Sequence, residues 1–265
     1  RREDVGDYFA LRRIVENPWQ TVRFRKTRRS GQTLAVRMRD GAPLLLRAES
    51  NDFHIFHRIY LRDEYRLAQL PARLGCVVDL GANVGLFAAR VAPRAKRVIC
   101  YEPVPANFAQ LERNVAGLAN VAIHREAVAG ETGTLRIYQP ASDALTGRHS
   151  AFAGASAHTT ARYDEVPASS LDEVFARNAI EACDLLKIDV EGSEYAILHG
   201  ARDATLARVA RIHGEYHDVA PEDPRTRIDA FAEFLRARGY AVEVEPHARK
   251  PNLGLFFAAR REAAR

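Results

Sequence analysis

Residues 76–91 read Cys-Val-Val-Asp-Leu-Gly-Ala-Asn-Val-Gly-Leu-Phe-Ala-Ala-Arg-Val. The apolar run to Leu80 reads as a buried strand, Gly81 opens a glycine turn, and Val84–Val91 continues with helical character. The same order recurs downstream: Arg97–Glu102 is a second strand, and Pro105 suits a first helical position. Phe108, Leu111 and Val115 then form a helical stripe that Gly117 closes. Val121–Val128 is strand-like, and Leu135–Tyr138 extends or flanks the sheet. Ser170 with Glu173 makes a capping box before Leu171, Val174 and Phe175. Cys183–Val190 is the most apolar strand of the second half. Helical turns follow at Tyr195–Leu198 and Leu206–Val209, then a strand at Arg211–His217 and a helix through Ile228, Phe231 and Leu235 ended by Gly239.

The last two strand segments, Tyr240–Val244 and Leu253–Ala258, flank Pro246 and Pro251 in a connection of hairpin type. Repeated strand and helix implies an α/β fold, a mostly parallel sheet with helices on both faces, and the final hairpin is expected to add one antiparallel edge strand. Residues 140–167, rich in Ala, Ser, Thr, Gly and His, have no such period and read as a mobile loop or lid. The first seventy residues read as a cap on the main domain at 71–265. It comprises a helix near Tyr8–Val15, a hairpin of Gln32–Met38 with Leu44–Arg47, and the helically spaced Phe53, Phe56, Ile59 and Tyr60.

The 265 residues are 47% hydrophobic, enough for a sizeable core, which excludes a disordered tail. The net charge of +5 is local: residues 1–50 hold 12 basic and 6 acidic groups, and the remainder 27 and 28. Attraction to a polyanion would therefore sit at the N-terminal end, where Arg23-Phe24-Arg25-Lys26-Thr27-Arg28-Arg29 is either a phosphate-binding run or a solvated charged strand. Three scattered cysteines at 76, 100 and 183 have no metal-ligand spacing and suggest a reducing compartment. No apolar run approaches the roughly 18 residues of a membrane span, and no signal segment follows the Arg-rich start, so a cytoplasmic location is expected.

The glycine turn differs from a dinucleotide fingerprint because Asn83 takes the middle glycine position and Asp79 places an acid beside the turn. That charge would repel a pyrophosphate and attract a cation, which favours S-adenosylmethionine over NAD. Glu102 ends the next strand, where a carboxylate accepts bonds from ribose hydroxyls. A helix cap at Asp79 and a solvated strand end at Glu102 are the bland alternatives.

Val78–Gly85, Tyr101-Glu102-Pro103 with Asn107, and Leu186-Lys187-Ile188-Asp189-Val190-Glu191-Gly192-Ser193-Glu194 together resemble the FkbM family of S-adenosylmethionine-dependent methyltransferases, over roughly residues 50 to 258. The turn alone indicates a class I methyltransferase; the run at 187–194 is more specific. The resemblance implies a seven-stranded Rossmann-like fold that methylates a hydroxyl of a glycan or secondary metabolite. It places Asp79, Gly81, Ala82, Asn83 and Gly85 around the methionine moiety, Glu102 on the ribose, Pro103 and Asn107 near the adenosine, and Glu126 and Ala127 by the adenine.

Methylating an alcohol requires in-line geometry and removal of a proton, so a base is expected at the carboxyl edge of the sheet. Asp189 and Glu191 follow one strand there, and Glu215, His217 and Asp218 follow the next. His217 has the ordinary pKa of a base, with Glu215 or Asp189 to orient it; a surface histidine and an Arg-paired Glu215 are the alternatives. The same acids could hold a divalent metal and a diol, a reading that no spacing secures and that is not favoured. Asp52, His54, His57 and Tyr65, in the stretch before the first strand, are candidates to touch the acceptor or close over the cofactor. A nucleic-acid methyltransferase is the rival reading, though the chain has no Asn/Asp-Pro-Pro-Tyr/Phe motif where Asp189–Gly192 stands; a non-catalytic ligand-binding protein is another. A small-molecule or glycan acceptor is therefore the expected partner, with nucleic acid disfavoured.

Overall fold

A computed structural model describes residues 2–25, 31–48, 50–140, 159–218, 223 and 226–261. The N-terminal part runs α1 (Arg2–Leu11), α2 (Pro18–Phe24), β1 (Thr33–Val36), β2 (Leu44–Arg47), α3 (Asp52–Phe56) and a π-helical turn His57–Leu61. Pro18 starts α2 where its missing N–H costs nothing. Asn17 fixes the helix to β1, its amide donating to the Ala35 carbonyl at 2.9 Å and its carbonyl accepting from Arg37 N at 2.9 Å. The pairing of β1 with β2 is antiparallel. The helix α2 was not expected from the sequence. It places Arg23 and Phe24 of the basic run in a helix rather than a strand; residues 26–30 lie outside the described residues.

The main part runs β3 (Leu74–Leu80), α4 (Leu86–Val91), β4 (Ala95–Tyr101), α5 (Pro105–Val115), β5 (Val121–His124), β6 (Ala127–Ala129), β7 (Gly133–Pro140), β8 (Thr159–Ser170) and α6 (Leu171–Arg177). It continues with β9 (Leu185–Ile188), α7 (Glu194–Gly200), α8 (Asp203–Leu206), β10 (Arg211–His217), α9 (Ile228–Ala237), β11 (Tyr240–His247) and β12 (Lys250–Arg260). Seven strands form one sheet in the order β11-β12-β10-β9-β3-β4-β5, parallel throughout the run from β10 to β5. The antiparallel strand of the final hairpin is not at the edge. β12 lies between β10 and β11 and is antiparallel to both. Its Leu253–Ala258 run is apolar on both faces, whereas β11 alternates buried with exposed residues, as a strand open on one side does.

Two further expectations change. The stretch 121–128 is two strands: β5 closes the main sheet, and β6 leaves it to pair with β8 in a three-stranded sheet ordered β6-β8-β7. The segment read as a loop to 167 is a strand from Thr159 onward, paired antiparallel to β7. Residues 141–158, where a lid was expected, lie outside the described residues. The capping box at α6 is half formed. Ser170 Oγ accepts from Glu173 N at 3.2 Å, but Ser170 N donates to Thr132 Oγ1 rather than to Glu173.

Among the described residues the N-terminal part forms no separate core. Leu11, Val15, Val36, Leu46 and Phe56 are buried in one cluster with Leu74, Val77, Phe87, Val98 and Leu111. A second cluster, including Val78, Ile99, Leu186, Ile212, Phe231 and Phe256, fills the opposite face of the sheet. Asn114 of α5 pins the hairpin to the glycine turn, accepting from Leu45 N at 2.7 Å and donating to Val84 O at 2.7 Å.

Candidate functional site

The turn between β3 and α4 carries three left-handed residues: Gly81 at φ +75°, Asn83 at +50° and Gly85 at +82°. The two glycines are required by the chain itself. A Cβ on Gly81 would lie 1.9 Å from the carbonyl oxygen of Asp189, and one on Gly85 2.6 Å from Leu111 Cδ1. The turn is braced by Glu102, buried at the end of β4, whose Oε2 accepts Asn83 N at 2.8 Å and whose Oε1 accepts Val104 N at 2.9 Å. Burial raises the Glu102 pKa to about 7, against the pull of those two N–H groups, Lys187 and Asn107.

Asp79 does not present its charge to the turn's open side. It is fully buried, and Lys187 of β9 closes on it at 3.1 Å while donating to the Gly81 carbonyl at 2.7 Å. Burial raises the Asp79 pKa and Lys187 opposes it; Lys187 in turn is held protonated by Asp79 and Asp189 in spite of its own burial.

Two cavities meet at this turn. The larger, about 660 Å³ and open to solvent, is lined by Gly81, Asn83, Glu102, Pro103 and Asn107, by Ala127, Val128, Leu135 and Ile137, and by Asp189, Val190, Glu191 and Ser193. The smaller, about 400 Å³, lies between the π-helical turn and the glycine turn, lined by Arg58, Glu64, Tyr65, Ala82, Phe87, Lys187 and others. Gly81, Asn83 and Asp189 line both. Asn83 Oδ1 is buried there without a hydrogen-bond partner among the described residues.

Beyond Asp189 the chain turns through Glu191 (φ +53°) and Gly192 (φ +116°) into α7. Glu194, fully buried, fills that turn: Oε1 accepts from Val190 N and Gly192 N, each at 3.1 Å, and lies 3.1 Å from His217 Nδ1. His217 Nε2 faces Glu191 Oε2 at 3.5 Å. Burial works against a charged His217, but Glu194, Glu191 and Glu215 together hold it well above the usual histidine range, so it is an imidazolium at neutral pH. Burial raises Glu191 to about 8, with His217 opposing and the acids Asp189, Glu215 and Glu194 reinforcing. Asp189 is the contrast. Burial pushes it up, yet Lys187, Arg58, His217 and the Tyr65 hydroxyl, donating at 2.8 Å, hold it below the ordinary carboxylate range.

Of the acceptor-side candidates, the structure thus gathers Asp189, Glu191 and His217 with Tyr65. Glu215 does not line either cavity; Arg58 donates to it at 2.8 Å and also clamps Glu64 with two N–H groups. Asp218 accepts from Tyr195 at 2.5 Å and from Ile228 N. Asp52 is buried under Arg47, which donates to it from Nε, NH2 and its backbone, and so holds β2 to α3. His54 is exposed and lines neither cavity, and His57 faces Asp7 at 3.4 Å. On the nucleoside side, Pro103, Asn107 and Ala127 line the larger cavity, whereas the Glu126 carboxylate pairs with Arg177 away from it. Asn107 is buried and accepts from Arg47 at 3.1 Å.

Sequence reasoning missed Arg58, Glu64, Lys187 as a charge partner, and Glu194. Only Glu194 and Lys187 carried a signal, being acid and base inside an apolar strand and its exit, where an unpaired charge is costly. Among the described residues no three His, Cys, Asp or Glu side chains are grouped as a metal-holding set, and no helix is long and apolar enough to cross a membrane.

Residues 79–242 match the family model described as the methyltransferase FkbM domain. The chain is 30% identical over 220 residues to the 31-O-demethyl-FK506 methyltransferase FkbM of Streptomyces tacrolimicus, covering 71% of this chain and 79% of that protein. It is 31% identical over 209 residues to the AMB antimetabolite synthetase AmbE of Pseudomonas aeruginosa, a match to 65% of this chain that spans 10% of that protein. The 2-O-methyltransferase NoeI of Sinorhizobium fredii is 25% identical over 173 residues, 60% of this chain and 70% of the relative.

Proposed function

The chain belongs to the FkbM family of methyltransferases, and from that premise we propose that it moves the methyl group of S-adenosylmethionine to a hydroxyl of a glycan or secondary metabolite. The observation that carries the reading is the larger cavity at the carboxyl edge of the sheet, whose lining includes Glu102 after one strand and both Asp189 and Glu191 after another. The residues present fit the cofactor. The Glu102 carboxylate, held by two backbone N–H groups at the cavity wall, offers acceptor capacity for a ribose hydroxyl, Ala127, Val128, Leu135 and Ile137 offer an apolar wall for the adenine, and Asn83 Oδ1 is an acceptor in need of a donor. The amino-acid end falls to Gly81, Asn83 and Asp189, where the two cavities join. Asp79, closed off by Lys187, supports the turn from behind and does not contact the ligand.

Bound there, S-adenosylmethionine supplies an electrophilic methyl whose carbon–sulfur bond breaks as the acceptor oxygen forms the carbon–oxygen bond. The chain's part is to align the oxygen, exclude water and take the hydroxyl proton. His217 already carries a proton and Glu215 is taken by Arg58, so neither is the free base. Asp189, ionised and held by Tyr65, sets the negative field of the site. Glu191 lines the same cavity with its pKa raised to about 8, so its ionised fraction grows as pH approaches that value, and in that form its carboxylate takes the acceptor proton. A panel of hydroxylated acceptors incubated with methyl-labelled cofactor, with and without chelator, tests this. Label on an alcohol oxygen supports the reading; label on nitrogen, carbon or RNA only would replace it, and loss of transfer on chelation would bring a metal into the site.

A further inference from the structure

Glu194 lines neither cavity, yet its buried carboxylate is fully engaged beside one of them. It accepts two backbone N–H groups of the turn that carries Glu191, and it lies against one nitrogen of His217, whose other nitrogen faces Glu191. Carboxylate, imidazole and carboxylate therefore lie in a row from the buried start of α7 to the wall of the larger cavity. Resting on the reading that Glu191 takes the acceptor proton, we propose that Glu194 is a positioning residue for that step, holding the His217 ring against Glu191 and fixing the left-handed turn that aims Glu191 into the cavity.

Two costs in the structure point the same way. Glu191 is a non-glycine residue at φ +53°, a strained conformation that persists only where its surroundings enforce it. A fully buried carboxylate likewise persists only when its lone pairs are used, and those of Glu194 are used on this turn and this ring. The inner acid thus sets the orientation and charge of the imidazole, and the imidazolium stabilises the outer carboxylate in its ionised, proton-accepting form. The other charged or titratable groups around the row are Asp189 and its partners Lys187 and Tyr65, Glu215 with Arg58 and Glu64, and Tyr195 with Asp218. None of these bridges His217 to the turn as Glu194 does.

The test compares wild type with Glu194→Gln, which keeps the side-chain size and one acceptor oxygen but removes the charge. Nitrogen NMR of histidine-labelled protein, with the His217 signal assigned by its loss in His217→Gln, follows the ring through pH 5–9. Wild-type His217 should be doubly protonated at pH 7, and in Glu194→Gln its titration should fall by more than one pH unit. The limb of the turnover profile set by Glu191, measured on an acceptor found by the labelled-cofactor panel, should move to higher pH, because the lowering effect of the His217 charge on Glu191 is larger than the raising effect of Glu194 that is lost with it. The change at pH 7 is about tenfold in rate for each rise of one in the Glu191 pKa. S-adenosylhomocysteine affinity should stay within about twofold, since Glu194 lines neither cavity. A neutral wild-type His217 at pH 7 would overturn the inference even if the variant failed to fold. So would an unchanged titration and pH profile in Glu194→Gln when Glu191→Gln is inactive. Near-normal turnover in Glu191→Gln would instead remove the base and sink the reading beneath it.

Discussion

Lys187 lies 3.1 Å from Asp79 on the neighbouring strand, and both side chains are removed from water. Each is tolerated because the other is there, and Lys187 spends a further N–H on Gly81 O at the mouth of the turn. Lys187→Met would strand the Asp79 carboxylate, and loss of one partner of a buried pair costs about 3–5 kcal/mol. The variant should melt well below wild type, and adding Asp79→Asn should recover much of the loss. A single variant as stable as wild type in chemical denaturation would show that the pair is not what holds β3 to β9. From sequence Asp79 is legible as important, but its ion partner is not, because parallel pairing of Asp79 with Lys187 across the sheet is not written in local order. Glu102, Asn83 and Gly81 were legible since they follow one another along a strand, a turn and a helix. Arg58 and Glu64, contributed by the π-helical turn and the loop after it, are not, because Glu64 pairs with Arg58 and the second partner of Arg58, Glu215, is 157 residues away.

At the scale of elements, the turn from β3 to α4 is where α5, β9 and the hairpin converge. Gly85 packs on Leu111 and Val115 of α5 in a left-handed conformation, so Gly85→Ala meets both a clash at 2.6 Å and an unfavourable φ. A loss of about 1–3 kcal/mol is expected from the overpacking, with the backbone term adding to it. Cofactor binding should weaken along with stability, since the displaced helix carries the turn that Glu102 braces. Unchanged melting and binding in Gly85→Ala would mean that the α4–α5 contact is slack. The order of strands and helices was readable from periodicity, whereas the seat of β12 was not. Its continuous apolar run signals burial on both faces, but hairpin reasoning sees only the nearest strand, and the pairing with β10 is remote in sequence. The escape of β6 from the main sheet is likewise a choice of partner, and local pattern does not encode it.

For the molecule as a whole, two carboxyls held above the usual range, the buried Glu102 and the half-buried Glu191, predict how stability follows pH. Glu102 and Glu191 are raised from 4.5 to about 7 and about 8, so the folded chain binds protons that the unfolded chain releases. Their contribution is full below pH 4.5 and is lost as pH rises through 7 and 8. His213, buried against the Tyr65 carbonyl at 2.7 Å, is lowered from 6.5 to about 4, so its contribution is present above pH 6.5 and lost as pH falls through 4. The melting temperature should therefore decline from pH 6 to 9, and Glu102→Gln should flatten that decline. A rise in melting temperature across the same range would show that these carboxyls are ionised in the folded chain.

Calorimetric titration of the protein with S-adenosylhomocysteine, beside the same titration with NAD, tests the assignment of the larger cavity most directly. The geometry predicts one binding site for S-adenosylhomocysteine, none for NAD, and a loss in Glu102→Ala of about 1.5–3 kcal/mol, the worth of a hydrogen bond to a charged group. Melting curves of the variant separate a lost ligand contact from a collapsed turn. Saturable NAD binding with no heat from S-adenosylhomocysteine, or full affinity in a folded Glu102→Ala, would contradict the account.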